Sequence, residues 1–293
     1  MYIPEILAAK DKGVSFEFFP PKTEKTREKF NNTLDVLSRF EPLYVSMTCG
    51  AAGSTQSFTK DAVDILLKYK DLTVMPHITC IDALEESITQ ILDYYKSRSI
   101  NNVMLLRGDI PCDREYFNIE DMVFPHASDL IKFVRDRYDF SVGAAVYPEG
   151  HIESISLEDD LAGTLLKIEH GVDFAVTQMF FDNSLFYKFC DKLRKNKVTI
   201  PILPGIFPLT DIVKLSNFTT MVKTSIPSWI EEKMLKYANS PDDMRKAGIE
   251  ITIKQCRDLT ANGVKFLHFF TFNNPEVMVE ILNALGTTAK KGV

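Results

Sequence analysis

Hydrophobic positions along the chain fall into two alternating kinds of segment. Short apolar runs rich in β-branched and aromatic residues cover Val14–Phe19, Tyr44–Thr48, Thr73–Thr79, Asn102–Arg107, Ser141–Tyr147, Phe174–Phe181, Ile200–Ile206 and Phe266–Phe272. Between them lie stretches with apolar residues at helical spacing, namely Glu24–Phe40, Asp61–Tyr69, Glu85–Ser97, Ala127–Tyr138, Glu158–His170 and Leu185–Lys195. A strand covered on both faces reads as an unbroken apolar run, and alternation with helix-length segments predicts βα units in a parallel sheet. Eight such runs predict a closed (β/α)8 TIM barrel, a fold that typically takes ~250 residues. The longer interval Ile226–Gly263 predicts two or three extra helices before the last strand. An open doubly wound sheet is the alternative, weakened because no G-x-G-x-x-G follows the first strand. No Pro/Gly/Ser-rich linker or repeat breaks the chain, so residues 1–293 are expected to form a single domain.

Composition changes this picture little. With 45% hydrophobic and 25% charged residues the chain has ample material for a core. A net charge of −6 argues against a nucleic-acid partner but leaves room for a local basic pocket that holds a small anion. The five cysteines are scattered and form no C-x-x-C pair, which suits a reducing compartment better than a disulfide framework or zinc knuckle. The N-terminus shows no secretory pattern, and no apolar run approaches the roughly 20 residues of a membrane helix. A cytoplasmic protein with no membrane association is expected.

The chemistry is expected where such barrels carry it, at the C-terminal ends of the strands. The first strand places Glu17 among Phe16, Phe18, Phe19 and Pro20. Low dielectric raises a carboxylate's pKa, which would suit Glu17 to donate a proton near neutrality. A buried Glu paired with a base for stability alone is the competing reading. The second strand ends at Thr48. His77 lies in the third, where a single histidine is more often a satisfied core residue than a catalyst. In the fourth, Gly108 lets a ligand approach between Arg107 and Asp109, although a surface ion pair explains those two charges equally well. The fifth ends in Tyr147-Pro148-Glu149-Gly150-His151, and the sixth carries Gln178, an amide that needs hydrogen-bond partners in an apolar run. No metal-ligand spacing, G-x-S-x-G elbow or P-loop is present. What remains is a mouth suited to a large, planar, hydrogen-bonding cofactor.

The motifs Ser15-Phe16-Glu17-Phe18-Phe19-Pro20-Pro21, Pro76-His77-Ile78-Thr79-Cys80, Leu106-Arg107-Gly108-Asp109, Tyr147-Pro148-Glu149-Gly150-His151, Thr177-Gln178-Met179-Phe180-Phe181-Asp182 and Pro204-Gly205-Ile206 together resemble the methylenetetrahydrofolate reductase family, from about Val14 to Leu285. The resemblance implies a barrel that binds FAD and reduces methylenetetrahydrofolate to methyltetrahydrofolate with NAD(P)H. It implies a flavin-binding set of Thr48, His77, Arg107, Gly108, Asp109, Ala127, Tyr147, His151, Asp160 and Lys167. It gives Glu17 the role of proton donor and Asp109 that of a carboxylate near the flavin and pterin. Gln178 becomes the pterin-binding amide and Phe218 the aromatic that stacks on nicotinamide or folate. A homo-oligomer is also implied. An iron–sulfur electron-transfer subunit is the alternative electron source, and a flavin-free folate-binding methyl-transfer protein is the competing class. Four positions depart from relatives: Leu166 and His126 replace a basic residue and a tyrosine, and Lys214 and Asn274 stand where some relatives carry glutamine and arginine.

Overall fold

The computed structural model describes residues 1–49, 56–110 and 118–290, without the side chains at positions 56, 120, 214, 217 and 221. Its strands are β1 (Gly13–Phe18), β2 (Val45–Met47), β3 (Val74–Thr79), β4 (Asn102–Leu106), β5 (Ser141–Val146), β6 (Phe174–Thr177), β7 (Ile202–Leu203), β8 (Gly205–Ile206) and β9 (Phe266–Phe270). The helices are α1 (Ile3–Ala9), α2 (Glu24–Leu37), α3 (Gln56–Leu66), α4 (Glu85–Ser97), α5 (Ala127–Arg135), α6 (Leu157–Glu169), α7 (Asn183–Lys195), α8 (Ile212–Val222), α9 (Ser228–Leu235), α10 (Pro241–Ala261) and α11 (Pro275–Ala284).

All strand pairs are parallel, in the order β7-β6-β5-β4-β3-β2-β1-β9-β8. The seventh expected strand is split at Pro204. Its first half pairs with β6 and its second with β9, where His268 N–H donates to the Pro204 carbonyl at 3.1 Å. Chain continuity through Pro204 therefore closes the ring, and the expected eight-stranded α/β barrel is the observed fold. Gly205 is required there, because a Cβ would stand 2.2 Å from the Thr177 carbonyl oxygen.

Outward residues such as Phe16, Phe18, Val103, Leu105 and Val142 pack under the helices in the largest apolar cluster. Inward residues near the strands' N-terminal ends, Tyr44, Met75, Met104, Phe174 and Leu203, form a separate plug with Ile3, Ile6 and Leu7 of α1. The Asn102 side chain accepts from Ile3 N–H at 2.8 Å and donates to the Met1 carbonyl at 3.0 Å, so α1 is pinned as the floor. The sequence pattern did not announce α1, nor α8 ahead of the expected helical insertion. β6 stops four residues before the expected Phe181: Phe180 turns out to stack on Phe186 of α7 at 5.3 Å, and Asp182 caps α7 by accepting from Ser184 N–H at 2.9 Å. Among the described residues, no helix is long and apolar enough to cross a membrane.

Candidate active site

Glu17 sits inside the barrel, 8% exposed. Its Oε2 lies 3.5 Å from the Nε2 atoms of both His77 and His268. β1 and β9 are in register so that Ser15 pairs with His268, and the Ser15 hydroxyl lies 2.8 Å from His268 Nδ1. The Tyr44 hydroxyl reaches the same nitrogen at 3.3 Å while its ring stacks on the imidazole at 5.6 Å. The His77 Nε2 is buried and makes no hydrogen bond to a described residue, for its approach to Glu17 is close but not aligned.

This surrounding overturns the expected raised pKa of Glu17. Burial is the largest single influence and does push it up. The hydrogen bond from His268, the charge His77 gains when it is protonated at low pH and a nearby Ser46 hydroxyl together outweigh it, and the carboxyl is held below its ordinary range. Burial pushes His77 down, against the pull of Glu17. Near neutrality the resting cluster is thus a carboxylate beside an uncharged His77. His268 is the partner that sequence reasoning missed. Phe266-Leu267-His268-Phe269-Phe270 reads as core, and only barrel closure brings it to Glu17 across 251 positions.

A cavity of about 860 Å³ opens beside β4, β5 and α6. Six of the ten expected flavin contacts line it: Arg107, Ala127, Tyr147, His151, Asp160 and Lys167. The loop between β5 and α6 is folded over Asp160, whose carboxylate accepts from His151 N–H at 2.9 Å and the Ser154 hydroxyl at 3.2 Å. Lys167 donates to the Ala145 carbonyl at 2.6 Å, and burial lowers its pKa to about 8. Burial raises the Tyr147 phenol to about 12 and, followed by the charge of Arg107, lowers His151. Arg107 is gripped on both guanidinium nitrogens by Glu153, with Nη2–Oε1 at 2.6 Å. Gly108, at φ +91°, presses its Cα face toward Ile81, where a Cβ would lie at 2.8 Å. Leu166 is an exposed part of the cavity wall.

A smaller cavity of about 270 Å³ lies between β8, β9 and α8, lined by Phe207, Leu215, Phe218, Phe272 and Asn274 among others. Phe218 meets Phe207 at 5.8 Å and Phe272 at 6.2 Å, and Phe272 stacks on Phe19 at 5.2 Å. Phe272 and Asn273 both adopt left-handed backbone, φ 48° and 50°, a costly conformation for a phenylalanine. It is held by the Asn273 amide, which accepts from Phe19 N–H at 3.1 Å and donates to the Phe19 carbonyl at 2.8 Å. Asn274 caps α11 through a contact to Val277 N–H at 3.4 Å, a local role that a longer basic side chain would not fill in the same way.

The remaining expected residues sit on strand ends without joining the Glu17 cluster. Thr48 is half-buried after β2, its N–H bonded to the Phe18 carbonyl at 3.0 Å. Asp109 is exposed after β4 and near enough to Tyr147 to raise its pKa. Gln178 is half-buried after β6, its Oε1 turned onto Met179 N–H at 2.9 Å. The side chain of Lys214 lies outside the described residues.

A closed parallel barrel with a buried acid–histidine cluster inside it and a broad charged cavity at the same end defines an α/β-barrel enzyme. The family model for Methylenetetrahydrofolate reductase matches residues 2–286, and the chain belongs to this family of oxidoreductases. The 5,10-methylenetetrahydrofolate reductase of Pectobacterium carotovorum is 33% identical over 94% of this chain and 90% of its own length. That of Escherichia coli is 31% identical over the same shares. Methylenetetrahydrofolate reductase (NADH) 1 of Zea mays is 34% identical, and the match spans 97% of this chain but 50% of that protein. An uncharacterized protein from Clostridium thermocellum that binds two copies of 5-methyl-5,6,7,8-tetrahydrofolic acid shares the fold, with a TM-score of 0.60 at 15% identity over 96% of each chain. Family membership supports methylenetetrahydrofolate reductase activity.

Proposed function

We propose that this protein reduces methylenetetrahydrofolate to methyltetrahydrofolate with electrons from NADH or NADPH through bound FAD, and that Glu17 supplies the proton. The observation that carries the reading is the cluster itself: a buried carboxylate flanked by two histidines at the barrel end where such folds do chemistry. The flavin fits the residues present. The larger cavity falls in the usual size range for ligand sites and holds Arg107 and Lys167 for a pyrophosphate. When bound, FAD supplies the two-electron hydride chemistry that no side chain can provide.

The protein's share is binding, orientation and proton handling. Arg107, Lys167 and the loop folded over Asp160 hold the cofactor's anionic part. The aromatic wall of Phe207, Phe218 and Phe272 accepts the flat rings of nicotinamide and folate in turn, so donor and acceptor use one place successively. Gln178 needs only to rotate its amide off Met179 N–H to meet a pterin edge, and Asp109 stands at the end of β4, two strands away. Glu17 is ionised at rest, so protonation must come with the substrate. A pterin covering the remaining exposed edge of the carboxylate strengthens desolvation, already the largest influence on it, and shifts its pKa upward. Both imidazoles stand 3.5 Å from the carboxylate and fix its orientation.

Anaerobic titration is the test. The purified protein is expected to be yellow, to bleach with NADH or NADPH, and to recover its colour on addition of methylenetetrahydrofolate. A colourless protein that takes up no FAD sinks the reading. A yellow protein that bleaches only with a reduced iron–sulfur donor retains the flavin and replaces the nicotinamide.

A further inference from the structure

We propose that Glu153 is a built-in competitor for the cofactor's phosphate, holding Arg107 until FAD displaces it. This rests on the flavin reading above. The two side chains form a forked pair, each guanidinium Nη facing one carboxylate oxygen, with Nη2–Oε1 at 2.6 Å. That is the geometry with which arginine grips a phosphate, so the carboxylate occupies the site an incoming phosphate would use. The third guanidinium nitrogen of Arg107, Nε, is spent on the Gly108 carbonyl at 3.2 Å. Arg107 therefore has no free fork to offer.

The charge balance points the same way. Among the described residues lining the cavity, the carboxylates of Glu153, Asp159, Asp160 and Glu169 face the cations Arg107 and Lys167. Four negative against two positive charges is an unfavourable setting for a pyrophosphate until one carboxylate leaves. Glu153 is the one that occupies the arginine and can be turned aside. Its side chain is 38% exposed against 14% for that of Arg107, so it lies on the solvent side of the pair. Asp160 is buried and tied to the loop by His151 N–H and Ser154. Asp159 is engaged as well, accepting from Ile155 N–H at 3.2 Å. The backbone at Glu153 is itself anchored, its N–H donating to His151 Nδ1 at 3.2 Å. Displacement thus asks for a rotation of one side chain into water, with the loop left in place.

The consequence is a cofactor site whose affinity is set below what its cations could give. The experiment compares wild type and Glu153→Gln, each stripped of flavin, by fluorescence titration with FAD and separately with riboflavin, which has no phosphate. Glutamine keeps the size of the side chain and loses the competing charge. The expected result is FAD bound roughly three- to tenfold tighter by E153Q, the scale of releasing one partly exposed ion pair. Riboflavin affinity should stay the same within about twofold, and added salt should shrink the FAD difference. Unchanged or weaker FAD binding by E153Q overturns the inference, as does an equal gain for riboflavin. If wild type binds neither flavin while remaining folded, the fault lies with the flavin reading itself.

Discussion

Along β2, β3 and β6 the inward positions near the floor are Tyr44, Met75 and Phe174, packed against Ile3, Ile6 and Leu7 of α1. Two residues further along, β2 and β3 present Ser46 and His77, and the end of β6 presents Gln178. The same strands therefore run from a close-packed plug into a polar chamber within one or two side-chain steps. At the floor the side chains are apolar and close-packed. In the chamber, the buried Ser46 hydroxyl and His77 Nε2 make no hydrogen bond to described residues, a capacity that a ligand can meet. The two ends should respond oppositely to substitution: the floor through stability, the chamber through turnover.

The largest expected effect is in the chamber. Glu17→Gln should slow folate reduction by ~10²–10⁴-fold, the usual contribution of a positioned acid, while sparing flavin reduction by the nicotinamide. Stopped-flow measurement of the two half-reactions reads this directly, and an unimpaired folate half-reaction removes Glu17 from the mechanism. Stability should change modestly and with a defined pH dependence. Because the folded pKa of Glu17 is lowered, its stabilising contribution is complete above the ordinary carboxylate range and is lost as pH falls through the folded value. The gap in Tm between wild type and E17Q should close on acidification.

At the floor, Phe174→Ala should cost ~3–5 kcal/mol in unfolding free energy, since Phe174 is fully buried and its ring covers Gly143, where a Cβ would lie 2.8 Å away. Denaturant unfolding measures the loss. Turnover per folded molecule should stay near wild type. A turnover loss comparable to that of E17Q would mean the two ends are not independent. Asn273→Ala is an intermediate case, because Asn273 supports the chamber by backbone bonds alone. Losing both hydrogen bonds to Phe19 should cost about 1–3 kcal/mol and let Phe272 drift from its left-handed position. The kinetic mark is a raised KM for the folate with FAD affinity unchanged. A parallel loss of FAD affinity would show that the aromatic wall and the charged cavity are coupled.

Much of this layout is legible in the sequence. Unbroken apolar runs give the strands, and the polar residues closing them give the site's end of the barrel. The misses share a physical cause. α1 is a seven-residue helix whose stability comes from plugging the floor, and an isolated segment that short carries little helical signal. The split at Pro204 is written as one run because a proline can join two strand halves that pair with different neighbours. Glu17 was expected to be a raised carboxylate because its sequence neighbours are aromatic. Those neighbours, Phe16 and Phe18, point outward, and its true surroundings come from β2, β3 and β9. A pKa depends on neighbours in space, and the register that supplies His268 is a property of the closed ring.

The smallest expected effect concerns Lys167, which belongs to the charged cavity and has its Nζ 5.6 Å from the Tyr147 ring there. Burial lowers its pKa to about 8, with Asp160 opposing, whereas an unfolded lysine stays protonated well beyond that. In the apoprotein the folded state therefore gives up its proton first, and this residue's contribution to stability rises with pH above about 8. Pyrophosphate binding has the opposite demand, for it needs the ammonium. FAD affinity should be level below pH 8 and fall above it, by at most about tenfold per pH unit, until the higher pKa of the liganded form is reached. Lys167→Arg should flatten that decline, because a guanidinium keeps its charge throughout. Fluorescence titrations from pH 7 to pH 10 decide it. If wild type and K167R fall together, some other group controls the pH dependence, and the lysine's bond to the Ala145 carbonyl is structural.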